Sequence, residues 1–366
     1  MKTSKHFLQW LTVALLLTVN LTAVKAVDPS IPGDYSVCLT GISEPYRVTD
    51  VASSTFTWSI LSGVSGTDWT LTSTSSNNNT IKVLWKTPGT YTLQVIETNS
   101  NSCSGGPMTI QVTVNALPTV TVNSPTVCAG TAATITATPG AVGTYNYVWT
   151  VPATVTDPGN VANFTSTVAG TYSVVITNTA TTCSSASASG TVTVNPLPTV
   201  TVNSPTVCAG TAATITATPG AVGTYNYVWT VPPTVTDPGN VANFTSTVAG
   251  TYSVVITNTA TTCFSASASG TVTVNPLPTV TVNSPTVCAG TSATITATPG
   301  AVGTYTYVWT VPATVTDPGN VASFTSTLAG TYSVVITNTA TTCSSASASG
   351  TVTIYAPVNT SPIYHN

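Results

Sequence analysis

The chain has 366 residues, of which only 15 are charged, about 4% against roughly 25% in ordinary soluble proteins. Beyond Lys2, Lys5 and Lys25 the cations are Arg47, Lys82 and Lys86, set against nine acids, and so sparse a positive charge excludes a nucleic-acid binder, which must displace many phosphate counterions. The two histidines, His6 and the penultimate His365, exclude a His-based triad or zinc site within the body of the chain.

The chain is therefore expected not to be an enzyme, to carry no cofactor and to bind no nucleic acid. Val, Ile, Tyr and Trp recur throughout, which argues against disorder of the charged, apolar-poor kind.

Residues 1–26 read as a secretory signal peptide. Lys2 and Lys5 precede an apolar stretch from Leu11 to Val19, and Val24-Lys25-Ala26 supplies modest residues at the cleavage point. The apolar run is shorter than the ~20 residues of a membrane span. No second span follows, so the mature protein is expected to be secreted or displayed at the cell surface.

Eight cysteines follow: Cys38, Cys103, Cys128, Cys183, Cys208, Cys263, Cys288 and Cys343. An even count in an exported chain points to disulfides, and eight cysteines permit 105 pairings. They are spread along the chain, unlike the C-x-x-C clusters of thiolate metal ligands.

The segment Leu117–Cys128 returns at Leu197–Cys208 and Leu277–Cys288, so the repeat has a constant period of 80. The first two copies differ only at Ala153/Pro233 and Ser184/Phe264, and the third departs at Ser292, Thr306, Ser323 and Leu328 among others. Each copy holds two cysteines at the same spacing. One bridge within each copy is the economical pairing: 128–183, 208–263 and 288–343, with 38–103 in a divergent first module. Closing a loop of this length contributes roughly 4 kcal/mol in the chain-entropy model.

Within a copy the sequence predicts strands at 119–122, 134–138, 145–149, 154–156, 164–168, 172–176 and 190–194. Pro139-Gly140, Asp157-Pro-Gly-Asn160 and Gly170 act as turn signals. Alternating Thr and Val turns Val inward and Thr outward, and both are β-branched. Tyr145, Tyr147 and Trp149 share one face at period two, with Trp149 expected in the core. About seven short strands and no helical period predict a β-sandwich.

Val127-Cys-Ala-Gly130, Tyr147-Val-Trp149, Ala169–Ile176 and Thr182-Cys-Ser184 resemble the PKD-like, immunoglobulin-like repeats of surface and secreted Bacteroidota proteins. The first module resembles a second variety through Thr57-Trp-Ser59, Ile81–Trp85 and Pro88–Val95. The resemblance covers most of residues 35–355 and implies fold more than activity. The Trp-Asp-Phe-Gly-Asp-Gly run of standard PKD domains is missing. No C-terminal sorting domain is seen before Asn366, which leaves secreted and surface-anchored forms both open.

The expected organisation is a signal peptide at 1–26, a divergent module at 27–115, three repeats at 116–195, 196–275 and 276–355, and a tail at 356–366. Four sandwiches in series would make a rod on the order of 150 Å. Three residue groups qualify as candidate sites. Asp157, Asp237 and Asp317, one per copy, could each offer a carboxylate to calcium, but calcium prefers six to eight oxygens and Asp-Pro-Gly is also a turn sequence. Trp58, Trp69 and Trp85 lie in the module that holds nearly all the mature charge, the pattern of a protein- or glycan-binding surface. The cysteines are the third. Modules two to four contain no Lys or Gln, so isopeptide and Thr–Gln ester cross-links are excluded there and disulfides are the available covalent brace.

The function expected is a rigid stalk or adhesin spacer presenting its first module. The alternatives are a carbohydrate- or protein-binding role through that module, or a self-associating filament subunit.

Overall fold

A computed structural model describes residues 35–363; the expected leader at 1–26, and His365, lie outside the described residues. Among the described residues every helix or strand element is a strand, and the strands form four sheet pairs, called modules below. No helix among them is long and apolar enough to cross a membrane.

The first module comprises β1 (Tyr35–Cys38), β2 (Glu44–Arg47), β3 (Thr55–Ile60), β4 (Trp69–Ser73), β5 (Thr80–Trp85), β6 (Gly89–Thr98) and β7 (Met108–Asn115). The second comprises β8 (Val120–Val122), β9 (Thr126–Cys128), β10 (Ala133–Pro139), β11 (Tyr145–Thr150), β12 (Asn163–Ser166), β13 (Gly170–Asn178) and β14 (Ala188–Asn195). The third repeats it as β15 (Val200–Val202), β16 (Thr206–Cys208), β17 (Ala213–Pro219), β18 (Tyr225–Thr230), β19 (Asn243–Ser246), β20 (Gly250–Asn258) and β21 (Ala268–Asn275). The fourth holds β22 (Val280–Val282), β23 (Thr286–Cys288), β24 (Ala293–Pro299), β25 (Tyr305–Thr310), β26 (Ser323–Ser326), β27 (Gly330–Asn338) and β28 (Ala348–Tyr355).

In the third module a four-stranded sheet, β16-β21-β20-β18, is paired with a three-stranded one, β15-β17-β19, and the second and fourth modules follow the same order. The first module has β1-β7-β6-β3 and β2-β5-β4: among the described residues no counterpart of β8 is present, and β4 takes an edge of the smaller sheet. In every module the short strand that ends in a cysteine runs parallel to the last strand, while the other pairs are antiparallel. The fold is an immunoglobulin-like all-β sandwich array.

Period-two alternation accounts for the cores. In β20 the side chains of Tyr252, Val254 and Ile256 are fully buried and those between them are not; in β17 Ala213, Ile215 and Ala217 are buried while Thr214 and Thr218 are exposed. Each buried Val or Ile contributes roughly 1.5–3 kcal/mol by leaving water. Trp229 packs edge-on against Phe244 at 5.0 Å between ring centres, and its indole N–H donates to the Val241 carbonyl (2.8 Å). The same pair recurs as Trp149 with Phe164 and as Trp309 with Phe324, so the expectation that Trp149 is a core residue holds.

A buried tyrosine fixes the entry to β20. The Tyr252 hydroxyl donates to the Val248 carbonyl (2.8 Å) and shares a second hydrogen bond with the Ser246 hydroxyl (2.8 Å). This is the tyrosine-corner arrangement of immunoglobulin-like sandwiches, repeated at Tyr172 and Tyr332. Gly270 in β21 is set by close approach: a Cβ there would fall 2.0 Å from the Asn203 carbonyl oxygen.

Two strand expectations are corrected. Residues 154–156 form no strand, because Val155 donates to the Pro152 carbonyl (2.8 Å) and closes a turn between two prolines. The strand β9, not expected from the sequence, forms between Pro125 and Gly130 and carries Cys128. The module still holds seven strands.

The described residues divide into two compact units, 35–125 with 133–192, and 126–132 with 193–363. The division falls inside the second module.

Candidate functional site: staggered cysteines

The three repeat aspartates are turn residues. Asp157, Asp237 and Asp317 each accept the N–H of the glycine two residues on, at 2.9 Å, and Gly239 takes φ 75°, the left-handed region open to glycine. The asparagine that follows is structural too. Asn240 Oδ1 accepts the Tyr227 N–H (2.7 Å) on the edge strand β18, covering a donor that would otherwise invite strand pairing. The hollow beside Asp317 is lined by Thr294, Thr316, Ser323 and Thr325, with Asp317 as its one carboxylate. Among the described residues no three His, Cys, Asp or Glu side chains come together to hold a metal.

The first-module tryptophans separate. Trp85 is 3% exposed, stacks on Tyr91 at 4.8 Å and donates to the Tyr46 hydroxyl (3.1 Å), so it is a core residue and not a surface for ligands. Trp58 and Trp69 are half-buried against the same core, donating to the Asn78 carbonyl (2.7 Å) and the Ser62 carbonyl (3.2 Å). The charges expected around them mostly brace loops. Asp68 accepts from the Val64 N–H (2.7 Å) and the Thr87 hydroxyl (2.9 Å), and Lys86 Nζ donates to the Gly66 carbonyl (2.6 Å). Asp50 accepts from Asn77 (2.6 Å) and Glu97 from Ser54 (2.7 Å). Burial pushes the Glu44 carboxyl and the Tyr46 phenol up from their ordinary values.

The cysteines form the distinctive arrangement. In the third module Cys208 ends β16 in register with Asn275, the last residue of β21. Cys263 precedes the first residue of β21, in the loop from β20. The eight residues of β21, at ~3.3 Å each, place its two ends roughly 25 Å apart, whereas a disulfide requires Cα atoms within about 7 Å. The cysteines of one module therefore cannot bond. Cys288 and Cys343 flank β28 in the same way, as do Cys38 and Cys103 around β7.

Bridges form instead between consecutive modules, passing over two cysteines each time: Cys38–Cys183, Cys128–Cys263 and Cys208–Cys343, with Cα separations of 5.5, 5.6 and 5.5 Å. The first lies within the first compact unit and the other two within the second. Cys103 and Cys288 are free and exposed. The expected pairing 38–103, 128–183, 208–263 and 288–343 is thus overturned, and two of the eight expected half-cystines carry no bridge. The reason is module polarity. The chain enters the third module at Thr199, whose carbonyl accepts from Gly220, and Thr224 accepts from Thr259 next to the Cys263 loop; it leaves at Asn275 beside Cys208. Each module carries one cysteine at its entry and one at its exit, and the exit cysteine bonds the next entry cysteine.

The entry loop is preset whether or not it is bonded. Asn258, Asn178 and Asn338 each donate an N–H to the carbonyl of Cys263, Cys183 or Cys343 at 2.9 Å, and Asn99 does so to Cys103 at 3.1 Å. The residue before each cysteine sits at positive φ: Thr182 (60°), Thr262 (59°), Thr342 (60°) and Ser102 (62°). The bonded entry cysteines are 0% exposed, whereas Cys103 is open. The signal that would have found the stagger was the Thr-Val-Cys triplet after Pro125, Pro205 and Pro285, short enough to pass for a loop.

No family model and no curated protein matches the chain. Among solved structures, a titin fragment spanning domains I67–I69 is 16% identical, with a TM-score of 0.39, covering 66% of this chain and 99% of that one. Immunoglobulin domains 1–5 of Sidekick-1 are 14% identical with a TM-score of 0.27, covering 90% and 80%. Extracellular domains 3–5 of Drosophila OTK are 13% identical with a TM-score of 0.30, covering 64% and 97%.

Proposed function

We propose that this chain is a non-catalytic, extracellular structural repeat protein: a stalk or spacer built to bear tension. The observation that carries this reading is the covalent path through the staggered bridges. From Cys38 the path crosses to Cys183, follows the backbone to Cys208 and crosses to Cys343. Only the segment 183–208 can stretch, in place of the whole span 38–343. More than half of that segment is already extended, in β14, β15 and β16. Intramodule bridges would have left three such connectors in series.

A fully extended residue spans at most ~3.6 Å, so unfolding the bridged chain yields a span of about 90 Å between Cys38 and Cys343, against about 1,000 Å after reduction. Single-molecule pulling, with attachment points before Cys38 and after Cys343, tests the proposal. The oxidised protein is expected to reach about a tenth of the contour length of the reduced protein. Equal lengths would overturn the reading.

A further inference from the structure

We propose that Cys288 of one copy bonds Cys103 of a second copy, joining chains head to tail into a covalent fibre. This goes beyond the tension-bearing reading and does not require it.

The argument starts from the rule that the three bridges obey, exit cysteine to next entry cysteine. Among the described residues, Cys103 is the one entry cysteine and Cys288 the one exit cysteine left unbonded. Both are exposed. The Cys103 loop is one residue shorter than those of its three bonded counterparts but keeps two of their features, the asparagine N–H bond to the cysteine carbonyl, from Asn99, and the positive φ of the preceding residue, Ser102. Cys288 ends β23 in parallel register with the last strand, as bonded Cys208 does in β16. Each free thiol is thus held as one half of a joint formed three times elsewhere in the chain.

A second, independent feature marks the same two ends. Where the earlier copies have Asn195 and Asn275 opposite the exit cysteine, the last has Tyr355, 64% exposed. Where the three repeats begin the final strand with Ala188, Ala268 or Ala348, the first module has Met108, 65% exposed. A large apolar side chain therefore stands open at each end that carries a free cysteine, and at neither position of the internal joints. Such a pair suits two surfaces that bury each other without a peptide linker to hold them together.

The bond also completes a second covalent line. From Cys103 the backbone runs to Cys128, crosses to Cys263 and runs on to Cys288. A link from Cys288 to Cys103 of the next copy makes this line continuous along the fibre. The chemistry is thiol–disulfide exchange with a small or protein disulfide as oxidant. The Cys288 thiolate attacks the oxidant disulfide, giving a mixed disulfide and releasing one reduced thiol. The Cys103 thiolate of the second copy then attacks the Cys288 sulfur, forming the Sγ–Sγ bond and expelling the other oxidant thiolate. Two electrons pass to the oxidant, and the two protein thiols lose their protons.

The test uses the full chain with oxidised glutathione, read by non-reducing electrophoresis and peptide mass mapping. Wild type is expected to give a ladder of covalent multimers that reductant abolishes and whose map contains Cys103 joined to Cys288. C103S and C288S, which leave all three internal bridges intact, are each expected to lose every species beyond a dimer. The two variants mixed should stop at a dimer joined through Cys103 and Cys288. A wild type that stays monomeric with both thiols free or glutathione-capped, one that joins Cys103 to Cys288 within a monomer, or multimers held only by Cys103–Cys103 and Cys288–Cys288 bonds would each overturn the proposal. None of these outcomes alters the pulling result between Cys38 and Cys343, so the two readings fail separately.

Discussion

Cys208 and Cys263 belong to one module yet stand at opposite ends of β21, the first in register with its last residue and the second in the loop before its first. That separation, roughly 25 Å by strand rise, turns a repeat of paired cysteines into a chain of joints between modules. A protein variant without the two free thiols, Cys103→Ser with Cys288→Ser, is expected to show no titratable thiol after denaturation without reductant. Adding Cys208→Ser should expose one thiol, at Cys343, and lower stability by about 2–5 kcal/mol. Thiol titration and denaturant melts check both. Recovery of Cys263 as the exposed residue would contradict the stagger.

The tyrosine corner supplies a second prediction. Tyr252→Phe removes the hydroxyl that satisfies the Val248 carbonyl and the Ser246 hydroxyl inside the fold. The loss should be about 1–3 kcal/mol, the cost of leaving a buried partner unsatisfied. Urea unfolding of the variant measures it, and an unchanged midpoint would remove the corner from the stabilising contacts.

Glu44 makes stability depend on pH in an unusual direction for a carboxylate. Burial raises its folded-state value above the ordinary 4.5, so the folded protein holds this proton more tightly than the unfolded chain. Its contribution is present below the unfolded value and is lost as pH rises through the folded one. Glu44→Gln is therefore expected to be more stable than wild type at neutral pH, with the difference narrowing toward acid. A difference that widens as pH falls would reverse the assignment.

The turn aspartates are expected to behave as structure. Calcium should leave the melting temperature of the protein unchanged, and Asp317→Ala should cost about 1 kcal/mol through loss of the Gly319 hydrogen bond. A calcium-dependent rise in melting temperature that Asp317→Ala abolishes would restore the metal reading.

Much of the fold was legible because sandwich strands write their burial at period two. The runs Tyr252-Ser-Val-Val-Ile256 and Ala213-Thr-Ile-Thr-Ala217 alternate in sequence as they do in exposure. The turn role of Asp157 was legible for a similar reason, since Pro and Gly constrain the backbone locally. Trp85 was not: an aromatic among charges reads as a surface, and only the stack on Tyr91 and the bond to Tyr46 show it inside. Residues 154–156 were misread because β-branched residues favour extension, while the prolines on either side impose a turn.

The sequence by itself determined that the chain is a tandem β array with no histidine chemistry in its body, because composition and repeat period are properties of the chain alone. Which cysteine meets which was decided by the tertiary structure. Spacing along the chain measures the loop that a bridge would close, but a bridge forms only where Cα atoms come within about 7 Å. Parallel pairing of β16 with β21 sends Cys208 to the exit of its module and leaves Cys263 at the entry, so the nearest sulfur belongs to the neighbour.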